Sequence, residues 1–260
     1  MVSNLKELIK YRELVKNLVV RDLKLRYRNS VMGFLWCFFN PLLMTLVFTI
    51  VFTVLLPNNQ IQKFPVFILV GILAWNLHAT SMGGAINSVV GNGHLVQKVY
   101  FPREVLPISV VLSNTVNFLL ALLVLLAVIP LFGLPLSATV LILPLVILIQ
   151  VVFTMGISFF LAAINVYFRD TGIIMDTVIW AWFFLTPIFY RIEDVFPAYS
   201  RVLYILNPMA SIIASYRDIL YYGSMTNIDF FSRTAVTSLL ILVAGYAFFT
   251  RHSRSFAEAV

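Results

Sequence analysis

The sequence has little of what most enzymes need: one cysteine, three histidines, and charged side chains at only 11% of its 260 positions. Cys37 has no second cysteine with which to form a disulfide within the chain. His78, His94 and His252 are too scattered to suggest a metal site. Serines and acids show no nucleophile–base spacing on a shared face, and the loops are too short to build a water-filled cleft. Catalysis by this chain is therefore not expected.

The sequence also lacks any motif that supplies energy. No segment matches the phosphate-binding pattern G-x-x-x-x-G-K-[ST]. No carboxylate lies near the middle of an apolar stretch, where a proton- or sodium-coupled carrier usually has one. If the protein moves a solute uphill, the energy must come from a partner.

Long apolar stretches dominate what is present, since 61% of residues are hydrophobic and the mean hydropathy is +0.95. About 20 apolar residues in a helix cross a hydrocarbon core of about 30 Å. On that criterion the chain is an all-α membrane protein of one domain, residues 1–260, with six transmembrane helices. The predicted spans are 31–56, 64–85, 105–131, 140–166, 173–190 and 230–250.

The distribution of basic residues predicts the orientation. With both termini in the cytoplasm, most of the 18 Lys and Arg residues fall on the cytoplasmic side, as expected for a multi-pass protein of the cytoplasmic (inner) membrane. The net charge of +7 then reflects topology and contact with anionic lipid. Nucleic-acid binding is not expected, because no soluble domain exists to carry a basic groove.

The pattern of apolar and basic residues in 1–30 predicts an amphipathic helix that lies at the membrane interface. Asn4 and Glu7 have the spacing of a capping pair, and the segment is too basic for a cleavable signal. Such a helix places its apolar face in the acyl boundary. A basic flank that merely fixes topology is the alternative. The apolar face comprises Leu5, Leu8, Ile9, Val15, Leu18 and Val19.

Residues 191–229 predict two short re-entrant helices between the fifth and sixth spans. The apolar stretches 195–206 and 209–222 are each too short to cross, and Asn207-Pro208 forms a hinge between them. Backbone that turns inside a bilayer must be satisfied by protein or by a water-filled cavity, so this pair is expected to line or cap a pathway. A pair of amphipathic helices lying on the surface is the alternative.

Asp176 and His78 are two polar residues that lie within the predicted spans. Asp176 lies four residues into the fifth span and is expected to reach water or to pair with Arg169 or Arg103. His78 is expected to be a hydrogen-bonded interior group.

Four ordered segments are distinctive: RDLKLRYRNSVMGFLW at 21–36, YFPREVLP at 100–107, NVYFRD at 165–170, and NPM at 207–209 followed by YRDILYYG at 216–223. Together they resemble the signatures of ABC permeases that export polysaccharides, the type-2 export permeases of O-antigen, teichoic acid or capsule chains. The resemblance spans almost the whole chain.

The resemblance implies a half-transporter. Two copies of the chain would form the pathway, and two cytosolic ATPase subunits would bind ATP and Mg, so this chain itself would hold no cofactor. The interfacial helix and the connection between the second and third spans, around residues 87–104, would contact the ATPase. Pro102 is expected at a first helical position. An ordinary solvated loop is the alternative for the connection. The expected contact residues are Asn87, Lys98, Tyr100, Arg103 and Glu104, and those of an outer re-entrant gate are Asn207, Pro208, Tyr216, Arg217 and Asp218.

In the family, the first and fifth spans border the conduit, so aromatic side chains there could guide sugar rings along it. Alternatively, these aromatic side chains face lipid or lie at the membrane interface. A lipid diphosphate is expected to be attracted to Lys24, Arg26 and Arg28, which otherwise bind bulk anionic lipid. The candidate pathway residues are Trp36, Phe39, Phe48, Phe52, Trp180, Phe183, Phe184 and Tyr190.

The sequence therefore predicts the transmembrane subunit of an ATP-driven exporter of a lipid-linked polysaccharide. One alternative is an ABC permease of the same architecture for a small lipophilic compound or drug. Another is a secondary carrier or membrane enzyme that acts alone, which the missing mid-span carboxylates and catalytic clusters disfavour.

Overall fold

The computed structural model of the chain describes residues 10–28, 32–51, 54, 61–134, 136–224 and 228–260. These residues form α-helices joined by short turns and contain no β-strand. Within these ranges the α-helices, in chain order, are α1 Arg12–Tyr27, α2 Trp36–Ile50, α3 Phe64–Ile86, α4 Gly93–Lys98, α5 Val105–Leu131, α6 Leu143–Tyr167, α7 Thr171–Leu185, α8 Ile192–Val195, α9 Ser200–Leu206, α10 Pro208–Arg217, α11 Ile228–Ser253 and α12 Phe256–Ala259.

The predicted all-helical architecture is confirmed. Among the described residues, α3, α5, α6 with its preceding 3₁₀ turn, and α11 are long and apolar enough to cross a membrane. They coincide with the second, third, fourth and sixth predicted spans. The apolar parts of α2 and α7 are shorter, so the count of six spans stays a prediction.

The fifth predicted span, 173–190, is wrong at its end. The helix α7 ends at Leu185, and Thr186 is extended with ψ of 136°. Pro187 follows, and the ring of a proline clashes with a helical conformation of the residue before it. Tyr190, a candidate pathway residue, therefore lies beyond the helix and does not share a helical face with Phe183.

Helix α3 is the centre of the bundle and is buried along most of its length. It packs against α2, α5, α6, α7 and α10. A mid-span glutamine of α6 binds it directly, because Gln150 Nε2 donates to the Ala74 carbonyl at 2.6 Å. A helix surrounded by others has little amphipathic periodicity, which explains why apolar residues occur on every face of α3.

Helices α6 and α11 approach each other closely at two glycines. A Cβ atom added to Gly156 would lie 2.6 Å from the Leu242 amide nitrogen, and one added to Gly245 would lie 3.0 Å from the Gly156 carbonyl carbon. Real side chains do not tolerate such distances. The two backbones are therefore in direct contact, as small residues allow in membrane helix pairs.

One end of the bundle gathers the segments that the sequence places in the cytoplasm. Leu18 of α1, Val96 of α4, Val105 of α5 and Phe256 of α12 belong to a single buried cluster, which we call the inner cluster. Part of the apolar face of α1 is thus covered by protein, whereas the sequence predicted contact with lipid. Asn4 and Glu7 lie outside the described residues.

The opposite end carries the two short helices expected after the fifth span. Helices α9 and α10 meet at Asn207, which is extended at φ −115° and ψ 91°, so the predicted hinge is present. The first stretch is divided, because α8 ends at Val195 before Pro197 and α9 begins at Ser200. A π-helical turn, Asp218–Tyr222, continues α10 to Gly223 at φ +69°. The re-entrant placement of this pair stays a prediction.

Candidate functional site

A polar cavity of about 400 Å³ lies between α1, α2, α3 and α5. It occurs in a layer of helices that are otherwise apolar. Its acceptors and donors are mainly amides, with one arginine, one threonine and one tryptophan. The lining residues are Arg26, Trp36, Asn40, Pro41, Leu73, Asn76, Leu77, Thr80, Asn114, Asn117, Phe118 and Ala121.

The three basic residues expected to attract a lipid diphosphate do not act as one cluster in the structure. Arg26 lines the cavity, whereas Lys24 and Arg28 are exposed on α1 and at its end. Arg21, earlier on α1, forms an ion pair with Asp22 at 3.1 Å and donates to Asn92 Oδ1 at 3.2 Å. Helix α1 is therefore tied to the turn that precedes α4.

The segment expected to contact an ATPase presents a mixed surface. Tyr100 is 89% exposed, Lys98 and Asn87 are exposed, and Arg103 is half-buried. Glu104 is only 5% exposed, so it is not on this surface, because the start of α5 is packed into the inner cluster.

Proline 102 is not at the first helical position, which corrects the sequence prediction. Helix α5 begins three residues later, at Val105, and Pro102 lies in the turn before it. Its carbonyl accepts the Val105 amide at 3.1 Å. The turn, rather than the proline ring, starts the helix.

The candidate pathway aromatics separate into two groups. Trp36 and Phe39 on α2, and Trp180 and Phe184 on α7, are exposed on the chain surface. Phe183 is buried and packs edge-to-face on Trp75 of α3, with ring centroids 5.7 Å apart.

The remaining pathway candidates are less well defined. Tyr190 lies beyond α7, and its hydroxyl donates to the Phe184 carbonyl at 3.3 Å. The Phe48 side chain and the whole of Phe52 are outside the described residues.

Arg217 of the expected outer gate is a buried structural centre. Its guanidinium donates to the carbonyls of Pro187, at 2.5 Å, and of Ile188. Its carbon lies 3.4 Å from the Phe67 ring centroid. Gly71 permits this approach, because a Cβ atom there would lie 2.9 Å from Arg217 Nη2. The arginine thus fastens α10, α3 and the 186–188 turn to one another.

Asn207 and Tyr216 join the same region to the rest of the bundle. Asn207 Oδ1 accepts from the Met209 amide at 3.2 Å, which caps α10 behind Pro208, and from Trp182 Nε1 at 3.0 Å. The Tyr216 hydroxyl donates to Gln150 Oε1 at 2.7 Å. Asp218 is buried at the start of the π-helical turn.

His78 is a hydrogen-bonded interior group, as predicted. Its Nδ1 lies 2.9 Å from Thr154 Oγ1, and Trp182 packs edge-to-face on its ring at 5.0 Å. Asp176 is exposed, and the structure places no ion pair within 4 Å between it and Arg169 or Arg103. The expected pairing is not observed because α7 turns this carboxylate outward.

Sequence reasoning missed several residues that organise these regions. Gln150 and Asn114 carry polar groups within long apolar runs, which was a usable signal because buried polar groups need partners or a function. Gly71 and Phe67 gave no such signal, since a glycine or phenylalanine in a membrane helix is ordinary.

Comparison with known proteins decides the family. The model of the ABC-2 type transporter family matches residues 13–221, which contain the first three sequence signatures and nearly all of the fourth. The chain belongs to the ABC-2 type transporter family. The resemblance stated from the sequence is thereby confirmed.

Several relatives of this chain are named as O-antigen or capsule polysaccharide export proteins. The chain is 39% identical over 261 residues to the O-antigen export system permease protein RfbA of Myxococcus xanthus, with both chains covered completely. It is 32% identical over 239 residues to the protein of the same name from Klebsiella pneumoniae, covering 92% of this chain and 91% of the relative. A capsule polysaccharide export inner-membrane protein, CtrC of Neisseria meningitidis, is 22% identical over 97% of this chain and 96% of the relative.

Proposed function

We propose that this ABC-2 family chain is the transmembrane subunit of an ATP-driven exporter of a lipid-linked polysaccharide. The observation that carries the proposal is the 39% identity, over the complete length of both chains, to a permease named for O-antigen export. The more distant similarity to a capsule exporter points to the same substrate class.

The energy comes from a separate ATPase, because the sequence contains no phosphate-binding loop. The ATPase binds ATP and Mg and docks at the exposed part of the 87–104 segment. Tyr100 and Lys98 are the contacts most open to a partner. The inner cluster beneath them joins α1, α4, α5 and α12, so force applied at this surface reaches the bundle as a unit.

Two copies of the chain form the pathway. Helices α2 and α7 expose large apolar and aromatic side chains, including Trp36, Phe39, Trp180 and Phe184. Aromatic faces can stack on the C–H faces of sugar rings while the hydroxyls remain hydrated. Phe183 supports this surface from behind by packing on Trp75.

The inner cluster faces the cytoplasm of the cell, with both termini on that side, and the chain resides in the cytoplasmic membrane. This orientation follows from the excess of Lys and Arg at that end. The short helices around Asn207 then lie at the outer end, where Arg217 and Tyr216 hold them rigidly against α3 and α6. We infer that they form the outer gate of the conduit.

Purification of the tagged chain from its own membranes, followed by transport in vesicles, tests the proposal. We expect a soluble ATPase to copurify, and ATP to drive a lipid-linked glycan across the vesicle membrane. A chain that repeatedly purifies alone in several mild detergents, or a complex that moves small lipophilic drugs but no glycan, would contradict it.

A further inference from the structure

The polar cavity between α1, α2, α3 and α5 has a composition that packing alone does not explain. Its wall includes four asparagines, Asn40, Asn76, Asn114 and Asn117, within helices of a membrane protein. Amides in such a setting usually face one another, a cavity or a ligand, because hydrocarbon offers them no partners.

Asn114 provides the sharpest sign that the cavity receives a ligand. Its side chain is 2% exposed, and Nδ2 donates to the Val110 carbonyl at 3.0 Å. Its Oδ1 accepts no hydrogen bond from the described residues. A buried acceptor without a donor is unfavourable, and a small movement of the side chain into the cavity would let a ligand hydroxyl supply that donor.

The rim of the cavity adds a cation and an aromatic face. Arg26 comes from the end of α1, and Trp36 is the first residue of α2. A guanidinium suits a phosphate through paired hydrogen bonds, whereas an indole offers a flat apolar face. Thr80 and Asn40 on the wall are exposed, so the cavity is open to the surface of the chain.

We propose that this cavity binds the glycosyl phosphate end of the lipid-linked substrate, an inference that rests on the proposed function. The phosphate binds Arg26, the first sugar ring stacks on Trp36, and the sugar hydroxyls bond to the amides and to the Thr80 hydroxyl. A volume of about 400 Å³ is within the range of small-molecule sites, about 300 to 1,000 Å³.

The position in the bundle agrees with this assignment. Thr80 lies six residues before the end of α3, and Asn114 nine residues after the start of α5, so the cavity is nearer the end that carries the inner cluster. That is the predicted cytoplasmic half, from which a newly made lipid-linked glycan would arrive. Pro41 also lines the cavity and lacks an amide hydrogen, which leaves the carbonyl four residues earlier without its helical partner.

Equilibrium binding to the full chain in nanodiscs tests the proposal. Three probes are compared: a polyprenyl diphosphate carrying one N-acetylglucosamine, the same polyprenyl diphosphate without sugar, and phosphatidylglycerol. We expect the sugar-bearing probe to bind most tightly. Thr80→Val and Asn76→Ala should each weaken it by about three- to tenfold, the usual effect of losing one hydrogen bond. Arg26→Gln should weaken both diphosphate probes.

Thr115→Val is the matched control for Thr80→Val. Each threonine donates to the carbonyl four residues earlier, Thr115 at 2.8 Å and Thr80 at 2.5 Å, but Thr115 does not line the cavity. The control should bind all probes as the unaltered chain does. The proposal would be overturned if the chain bound the diphosphate without sugar, or phosphatidylglycerol, as tightly as the sugar-bearing diphosphate. The cavity would then recognise only a charged headgroup.

Export in cells separates failure of this inference from failure of the proposed function. If the unaltered chain does not support glycan export, the proposed function is wrong. If it does, and Thr80→Val and Asn76→Ala export as well as Thr115→Val, the function stands and the cavity assignment is wrong.

Discussion

The guanidinium carbon of Arg217 lies 3.4 Å from the ring centroid of Phe67. The same group donates to main-chain carbonyls of the 187–188 turn. One buried cation therefore holds three parts of the outer end together. Its charge is stabilised by carbonyl dipoles and by the face of an aromatic ring.

Replacing Arg217 with Ala should destabilise the chain by about 2 to 4 kcal/mol, because buried carbonyls would lose their donors. Arg217→Lys should recover only part of this, since an ammonium cannot reproduce the planar fork. Thermal unfolding in detergent measures both. Arg201→Ala, at an exposed arginine of α9, serves as the control and should leave Tm unchanged. Equal Tm values for Arg217→Ala and Arg201→Ala would show that the buried contacts contribute nothing.

Gly71→Ala should weaken the same junction from the other side. The added methyl group would lie 2.9 Å from Arg217 Nη2 and 3.1 Å from the Ile188 carbonyl oxygen, so it must displace one of them. We expect a loss of about 1 to 3 kcal/mol. Gly83→Ala is the matched control on the same helix, because nothing lies within 4 Å of its added methyl. If Gly83→Ala is as unstable as Gly71→Ala, the loss of stability arises from the helix backbone and not from the contact with Arg217.

Gly245→Ala should loosen the contact between α6 and α11. Its methyl group would meet the Gly156 carbonyl, which is backbone and cannot rotate away. The helices must separate, at a cost of about 2 kcal/mol or more. Limited proteolysis and thermal unfolding would report it, with Gly172→Ala as control, since the nearest atom there is 4.0 Å away. Unchanged protease resistance in Gly245→Ala would mean that the two backbones are further apart than described.

Tyr100→Asp should reduce association with the ATPase about tenfold or more, as removal of a central aromatic contact commonly does. Folding should be unaffected, because the side chain is almost fully exposed. Copurified ATPase per chain is the measurement. Tyr199→Asp, at an exposed tyrosine of the opposite end, controls for the charge change. If both variants retain the ATPase equally, the docking surface lies elsewhere.

The long helices were predictable because length and apolarity alone define them. Val105 and Leu131 bound both the third predicted span and α5, and Phe64 begins both the second predicted span and α3. The end of α7 was missed because Thr186-Pro187 stops a helix locally, whereas the apolar run continues past it. Hydropathy records composition and does not record this steric limit.

The candidate site was harder to predict from sequence. Exposure of Tyr100 and burial of Glu104 depend on how four separate segments pack into the inner cluster. The cavity depends on α1, α2, α3 and α5 leaving a gap, which no single stretch encodes. What the sequence did offer was the presence of asparagines in apolar runs, and their meaning became visible only once their neighbours were known.

The packing of Phe256 and Val260 against the α4 region has a consequence for biogenesis. A Cβ atom on Gly93 would lie 2.6 Å from Val260 Cγ1, so these distant parts of the chain fit tightly together. The ribosome makes residues 256–260 about 160 positions after Gly93. The surface proposed for ATPase docking therefore reaches its final shape only after α11 has entered the membrane. An ATPase that docks on this surface would therefore bind only after α11 is in place.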